Sequence, residues 1–323
     1  MLLTFRLDEQ QDAIGDSVKR FCQRSLGATP QERQKIEFSP NLWRALAELG
    51  VFALGAPGED ATGGFLDLVV AAEHLGRAGF PGPLPATILA TGALPAAEVE
   101  AVLAGTSLVS FGRPPLMPWG MAGDISLGLI DGRVKRLDIT SRTPAETLGG
   151  EGWAQVEAKA GADLGAFADL RHRYDLPLGA LMVGAGLAMV ESAAEHAANR
   201  RQFGQIIGTF QGVAFPLAEA VVALESAQLL LRAAALRLDE GAADGPKLAL
   251  AARLSAGRAA RKASFTAHQS YGALGATREG PVFWLSRRVA QWSVQTPSDR
   301  ESMDDLPLEL PSILDTQQVE TAS

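Results

Sequence analysis

The chain has 323 residues, 47% hydrophobic and 20% charged, with a formal net charge of -8. That length suffices for two or three domains with a large core, and the composition excludes a disordered chain. The acidic balance, without a long basic block, argues against nucleic acid as a partner, because phosphate contacts need clustered Lys and Arg. In chain order, 8–26 is predicted as a helix with Ile14, Val18, Phe21 and Cys22 on one face, ended by Gly27 and Pro30. Residues 40–50 follow, with Ser39 as N-cap, Pro40 in the first turn and a stripe of Leu42, Leu46 and Leu49. The segment LGAPGEDATGG reads as loop, and 65–77 as a helix whose Glu73 and His74 form a polar edge. Short helices are expected over 85–91 and within ALPAAEVEAVLAG.

From Thr106 the pattern turns strand-like in SLVSFG, ISLGLI, GRVKRLDIT and GWAQVEAKA, with a turn at Asp131–Gly132. Helical periodicity returns near Asp169 and runs in two long pieces to Leu238, then over 247–271 and 278–292. The expected division is a helical domain over 1–103, a small β domain over 104–166, a four-helix bundle over 167–295 and an acidic tail over 296–323 that is extended or partly disordered. The fold class is therefore mainly α with a small β domain. Cys22 is the only cysteine, which rules out an internal disulfide or a thiolate zinc site. The N-terminus MLLTFRLDEQQDAIG lacks the pattern of a signal peptide, and no stretch reads as an uninterrupted membrane span. A cytoplasmic setting with no membrane partner is expected.

The most informative stretch is RRQFGQIIGTFQ, from Arg200 to Gln211. It follows the apolar run LPLGALMVGAGLAMVESAAEHAAN and precedes a second long helix, with Gly204 and Gly208 in the turn. Cationic side chains suit the negative end of a helix dipole. Spacing alone leaves two readings, a solvated basic corner or a docking place for an anion.

Motif content goes further. RRQFGQIIGTFQ resembles the R-x-QFG-x-x-I-x-x-FQ segment of the acyl-CoA dehydrogenase family. QSYGALGATREGPVFWLSRR, from Gln269 to Arg288, resembles that family's Q-x-x-GG-x-G-[FY]-x-x-E-x-P followed by arginine. WRALAELGVFALGAPGEDATGG and AAEHLGRAGFPGPLP match its N-terminal third in character. The resemblance implies an N-terminal helical domain, a middle β domain, a C-terminal four-helix bundle, FAD as cofactor and an acyl-CoA thioester as substrate. It implies α,β-dehydrogenation, in which a carboxylate takes the α proton and the flavin accepts hydride from the β carbon.

Carried over residue by residue, Arg200 matches the arginine that contacts the flavin pyrophosphate across a subunit boundary, a task suited to its forked guanidinium. Phe203 and Gln211 belong to the same cofactor segment, Gln211 on the adenine side. Phe203 and Phe210 also read as core aromatics. Gln269 and Gly272 match the second motif, whereas Ala273 replaces its second glycine. Two departures stand out. The β region is much shorter than the family's, with no counterpart of its threonine-glutamate-proline and glycine-serine-aspartate segment. Counting from Pro281 places Thr296 where the commonest glutamate base falls. Asp175 falls at or one residue past the alternative base position at the start of the long helix, and its other reading is an N-cap with Pro177 in the first turn.

Retained cofactor positions, a short β region and no glutamate base together resemble the degenerate subunits of heteromeric bacterial acyl-CoA dehydrogenases that degrade steroid side chains. That resemblance implies a second acyl-CoA dehydrogenase-like chain in an α2β2 complex, which would supply the base and the flavin cradle. The alternatives are a self-sufficient homomer using Asp175 and a flavin-free structural protein of the same fold.

Overall fold

The computed structural model describes residues 7–33, 37–58, 61–295 and 297–306. Helix α1 (Glu9–Leu26) opens on a capping box. Asp8 accepts the Gln11 amide at 2.8 Å, and the Gln11 side chain accepts the Asp8 amide at 2.9 Å. A single turn, α2 (Pro30–Arg33), and α3 (Pro40–Ala47) follow, the latter capped by Ser39 with Pro40 in its first turn, as expected.

Helix α4 (Phe65–Ala78) lies in the core, followed by α5 (Leu84–Ala93) and α6 (Ala96–Leu103). Gly64 has no side chain to cap α4. The cap comes instead from Asp239, whose carboxylate accepts the Phe65 and Leu66 amides at 2.7 and 3.1 Å. The predicted polar edge of α4 is not solvated. Glu73 is buried, bonded by Arg232 and Gln228 at 2.8 Å each. Its charge is compensated inside the protein, which a reading of α4 alone cannot reveal.

The sheet comprises β1 (Val109–Gly112), β2 (Leu116–Met117), β3 (Ile125–Ile130), β4 (Arg133–Pro144) and β5 (Ala154–Ala166), in the order β1-β3-β4-β5-β2. β1 and β3 are parallel and the other pairs antiparallel. The β3–β4 turn is the predicted Asp131–Gly132, with φ of 51° and 72° as a tight hairpin requires. Val134 and Leu129 close the sheet onto the helical core, whereas most of the outer half of the β4–β5 ribbon is exposed.

Helix α7 (Phe167–Asn199) is the spine of the second half. A short hairpin, β6 (Arg201–Gln202) and β7 (Gln205–Ile206), leads to α8 (Gln211–Asp239), then α9 (Gly245–Tyr271), α10 (Phe283–Trp292) and α11 (Asp299–Asp304). Residue neighbours fix the directions. Asp175 meets Arg253, the Gly186 position meets Ala260, and Ser192 meets Tyr271, so α7 and α9 run parallel. The Gly179 position meets Leu231 and the Gly186 position meets Leu224, so α8 runs antiparallel to both. The molecule is mainly α with a small sheet, in agreement with the expected fold class.

Two details differ from expectation. α10 starts at Phe283 rather than Arg278, because turns around Pro281 take up the preceding residues. The tail is not uniformly extended, since Ser298 and Glu301 form a capping box that starts α11. Residues 307–323, the rest of that tail, lie outside the described residues.

By length and composition, α7 and α8 could each cross a membrane, contrary to the reading that no stretch qualifies. In α7, 83% of the most apolar window is buried inside the protein, which marks a core helix. In α8 only 22% is buried. Phe215, Val222 and Leu229 stand exposed at seven-residue spacing along one face of α8.

The glycines of α7 allow α4 to approach its backbone. A Cβ at Gly184 would stand 2.0 Å from the Glu73 carbonyl oxygen and 2.9 Å from the Arg77 amide, with rigid backbone on both sides. Gly184→Ala is therefore expected to cost about 1–3 kcal/mol or more through overpacking. Urea denaturation would measure this against Gly212→Ala, whose Cβ would meet nothing within 4 Å. Equal effects at the two positions would contradict the close crossing.

Candidate functional site

The chain direction brings five of the six sequence-nominated residues to one end of the bundle. α7 and α9 finish there and α8 begins there. His196 stacks on Tyr271 with ring centroids 4.3 Å apart, and the Tyr271 hydroxyl donates to the Ser192 carbonyl at 2.8 Å. These contacts clamp the last turns of α7 and α9 together. Arg200 and Phe203 follow the end of α7, Gln269 sits in the last turn of α9 with Gly272 ending it, and Gln211 opens α8.

Arg200 caps α7 through its backbone, its amide donating to the His196 carbonyl at 2.9 Å. Its side chain is exposed and forms no ion pair among the described residues. Gln211 and Gln269 are exposed as well. Gly272 ends α9 at φ 61°, and a Cβ there would meet nothing within 4 Å. Left-handed backbone is natural only for glycine, so this position combines a required glycine with open space beside it.

Phe203 is not the core aromatic that one reading expected. It sits at the tip of the β6–β7 hairpin, 92% exposed at φ 52°, its ring edge-on to Phe210 at 6.2 Å. The two-residue turn needs positive φ at Phe203 and Gly204, which lifts the ring off the protein. An exposed aromatic in a strained turn beside an unpaired arginine is better suited to contact than to packing.

Asp175 stands apart from this end, roughly 37 Å back along α7 at the helical rise per residue. It is not an N-cap, because α7 begins at Phe167 and carries both Asp175 and Pro177 in its interior. Its side chain is fully buried between two arginines. Arg171 Nε donates to Oδ2 at 3.0 Å. Arg253 Nε lies 3.0 Å from Oδ1 without hydrogen-bond alignment, so that contact is an electrostatic pairing. Burial pushes the Asp175 carboxyl above the usual range, while Arg253 and then Arg171 pull it back. The arginines reach onward to α11. Arg171 bonds Asp305 at 2.7 Å, and Arg253 bonds Asp299 at 3.0 Å and Ser302 at 2.6 Å. Both Asp175 oxygens face guanidinium groups, which leaves neither free for a substrate. Thr296, the position of the commonest base, lies outside the described residues.

A second buried carboxylate was not singled out from the sequence. Glu151, in the loop joining β4 to β5, accepts the indole N–H groups of Trp153 and Trp292 at 3.0 and 3.1 Å. Gln291 adds a bond at 3.2 Å and receives the Gly149 amide at 2.5 Å. Burial raises the Glu151 carboxyl, opposed first by Arg288 and then by the two indoles. The loop is thereby tethered onto α10. No local pattern announces such a pairing across 140 residues.

His172, beside Asp175's arginine partner, supplies a pH test. Burial, and secondarily Arg173, lowers its pKa from 6.5 to about 4. Its Nδ1 is buried without a partner. The folded state therefore resists a proton that the unfolded state accepts. Stability is full above pH 6.5 and falls as pH drops toward about 4, by about 3 kcal/mol from this group alone. His172→Phe should flatten that part of the stability profile, read from urea midpoints between pH 7 and 4. An unchanged acid slope would contradict the assignment.

Comparison with known proteins adds identity to this geometry. Residues 8–100 match the acyl-CoA dehydrogenase N-terminal domain, and residues 176–293 match the acyl-CoA dehydrogenase C-terminal domain. The sheet falls in the unmatched stretch between them. Acyl-CoA dehydrogenase IpdE2 of Mycobacterium tuberculosis is 28% identical over 284 residues, spanning 84% of this chain and 87% of that protein. Among solved structures, PigA with FAD and proline superposes with a TM-score of 0.79 at 18% identity, covering 94% of this chain and 98% of that one. The ChsE4-ChsE5 complex from Mycobacterium tuberculosis gives a TM-score of 0.77 at 21% identity, covering 94% and 97%. At those identities the superpositions speak to the fold, while the two matched domains together span well over half of the sequence. The chain belongs to the acyl-CoA dehydrogenase family.

Proposed function

We propose that this chain is one subunit of a cytoplasmic, FAD-dependent, heteromeric acyl-CoA dehydrogenase, in which it completes the flavin pyrophosphate site of a partner. The observation that carries this reading is the gathering of Arg200, Phe203, Gln211, Gln269 and Gly272 at one exposed bundle end. An unpaired guanidinium, two amide side chains and an open glycine are a donor set that fits a dinucleotide's phosphates. Exposure fits a ligand held mainly by another chain.

Bound FAD would supply the hydride acceptor for α,β-dehydrogenation of the acyl-CoA thioester. This chain's residues would neutralise the pyrophosphate and orient the adenine end. The α proton would pass to a carboxylate of the partner, because Asp175 is committed to Arg171 and Arg253. The exposed apolar stripe of α8 supports a permanent interface, which characteristically resembles a halved core. Of the neighbours, PigA is described with FAD, ChsE4-ChsE5 is a complex of two named chains, and Tcur3481-Tcur3483 is a steroid dehydrogenase pair. These names are in keeping with a pairing of two different chains acting on a bulky acyl group such as a steroid side chain; the two-copies-each stoichiometry is part of the proposal.

In the copurified complex, Arg200→Ala should weaken flavin retention tenfold or more, since a lost charged hydrogen bond costs about 1.5–3 kcal/mol. Fluorescence of released flavin after gel filtration reads the effect. Full retention by the variant would remove Arg200 from the cofactor site.

A further inference from the structure

A cavity of about 490 Å³ lies where α1, α2 and α4 meet the last third of α7 and the start of α10. None of Arg200, Phe203, Gln211, Gln269 and Gly272 lines it. Part of its wall is apolar, from Ala78, Ala188, Pro281, Trp284 and Leu285. Its charges divide by element. Lys19 and Arg33 come from α1 and α2, whereas both carboxylates, Glu191 and Glu195, come from α7. Glu191 is already held by Arg77 of α4 at 2.7 Å.

The cationic side is largely unspent. Lys19 is exposed, and its ammonium has no hydrogen bond or ion pair among the described residues. Arg33 uses Nε and Nη2 on the Gly27 and Ala28 carbonyls at 2.9 and 3.1 Å, which leaves Nη1 and the net charge. His74 is half-buried beside them, and its ring nitrogens have no partner among the described residues. The ring lies against α1 at Gly15, where a Cβ would stand 2.7 Å from Nε2. Glycine inside a helix is less stable than alanine, so α1 gives up helix stability at the point where His74 needs room. Burial first, then Arg77 and Lys19, lowers the His74 pKa. The ring is therefore neutral near pH 7 and offers one N–H and one lone pair.

We propose that this cavity is a binding site for a small carboxylate with an apolar body. Lys19, Arg33 and the His74 N–H take the carboxylate, and the body lies on the apolar wall that includes Ala188 and Trp284. Charge-assisted donors suit a carboxylate, and an apolar lining with a few polar groups, at this volume, is characteristic of small-molecule sites. An inorganic anion leaves the apolar wall unused, and an alcohol leaves the two cations unpaired. The site shares no residue with the bundle end, so the inference does not rest on the function proposed above.

The test needs neither flavin nor partner. The full chain would be titrated calorimetrically with hexanoate near neutral pH, with 1-hexanol and inorganic phosphate as the comparison probes. Expected is saturable hexanoate binding that weakens with salt and is tighter than that of either comparison probe. The Lys19→Gln/Arg33→Gln double variant should bind roughly tenfold more weakly or worse, through loss of charged hydrogen bonds. Gly15→Ala, whose Cβ crowds His74, should also weaken binding. Arg33 holds the loop after α1 as well, so Lys19→Gln alone carries the test should the double variant misfold. Absence of saturable binding, equal binding by Lys19→Gln, or hexanol or phosphate bound as tightly as hexanoate would overturn the proposal. Failure of the subunit reading would appear elsewhere, as unaltered flavin retention in Arg200→Ala, with the hexanoate titration unaffected.

Discussion

Asp175→Asn is expected to destabilise the protein by about 3–5 kcal/mol, because it leaves two buried arginines short of their shared counter-charge. Arg253 is fully buried and Arg171 nearly so, so neither can recover its hydration without opening the bundle. The same substitution should loosen α11, which is held through Asp299, Ser302 and Asp305 on those arginines. A large fraction of a domain's marginal stability would be lost, visible as a lower urea midpoint and early protease cleavage near 299–304. A variant that kept its stability but lost all acyl-CoA oxidation would reinstate Asp175 as the base. Replacing Asp175, Arg171 and Arg253 together by apolar residues should restore part of the loss, since a buried ionic cluster stabilises little relative to a packed apolar one.

Most of the helical framework was legible because its signals are local. The Ser39–Pro40 start of α3, the apolar face of α1 and the Asp131–Gly132 turn each rest on a few neighbouring residues, and each appears where expected. The bundle end was legible for a different reason. Arg200, Gln211, Gln269 and Gly272 were nominated by motif likeness, and the parallel run of α7 and α9 brings the motifs to one place. What escaped was long-range pairing. The partner of Glu73 is Arg232, that of Asp175 is Arg253, and those of Glu151 are Gln291 and Trp292. No periodicity in one segment encodes a counter-charge in another. One half of the Asp175 cluster did carry a local sign, the i−4 spacing of Arg171 on the same helix. Phe203 misled for a related reason, since its aromatic character suggested burial while the hairpin geometry beside Gly204 put it outside. In α8 the composition gives apolar character, and only the packing shows which face, that of Phe215, Val222 and Leu229, is left uncovered.

The central claim is that this chain completes a flavin site it does not hold by itself. Its largest expected effect is therefore all-or-none. Expressed alone, the chain should purify with little flavin, no acyl-CoA oxidation and a mass set by self-association through α8. Coexpressed with the acyl-CoA dehydrogenase-like chain encoded nearest to it, the two should copurify, with flavin and activity appearing together. The physical basis is the exposed Arg200 end, which presents donors to a phosphate without enclosing it. The most direct measurement is the flavin-to-protein ratio with native mass for both preparations. The account predicts a flavin-poor chain alone and a flavin-loaded complex of both chains. A flavin-replete, active homomer from this chain alone would contradict it.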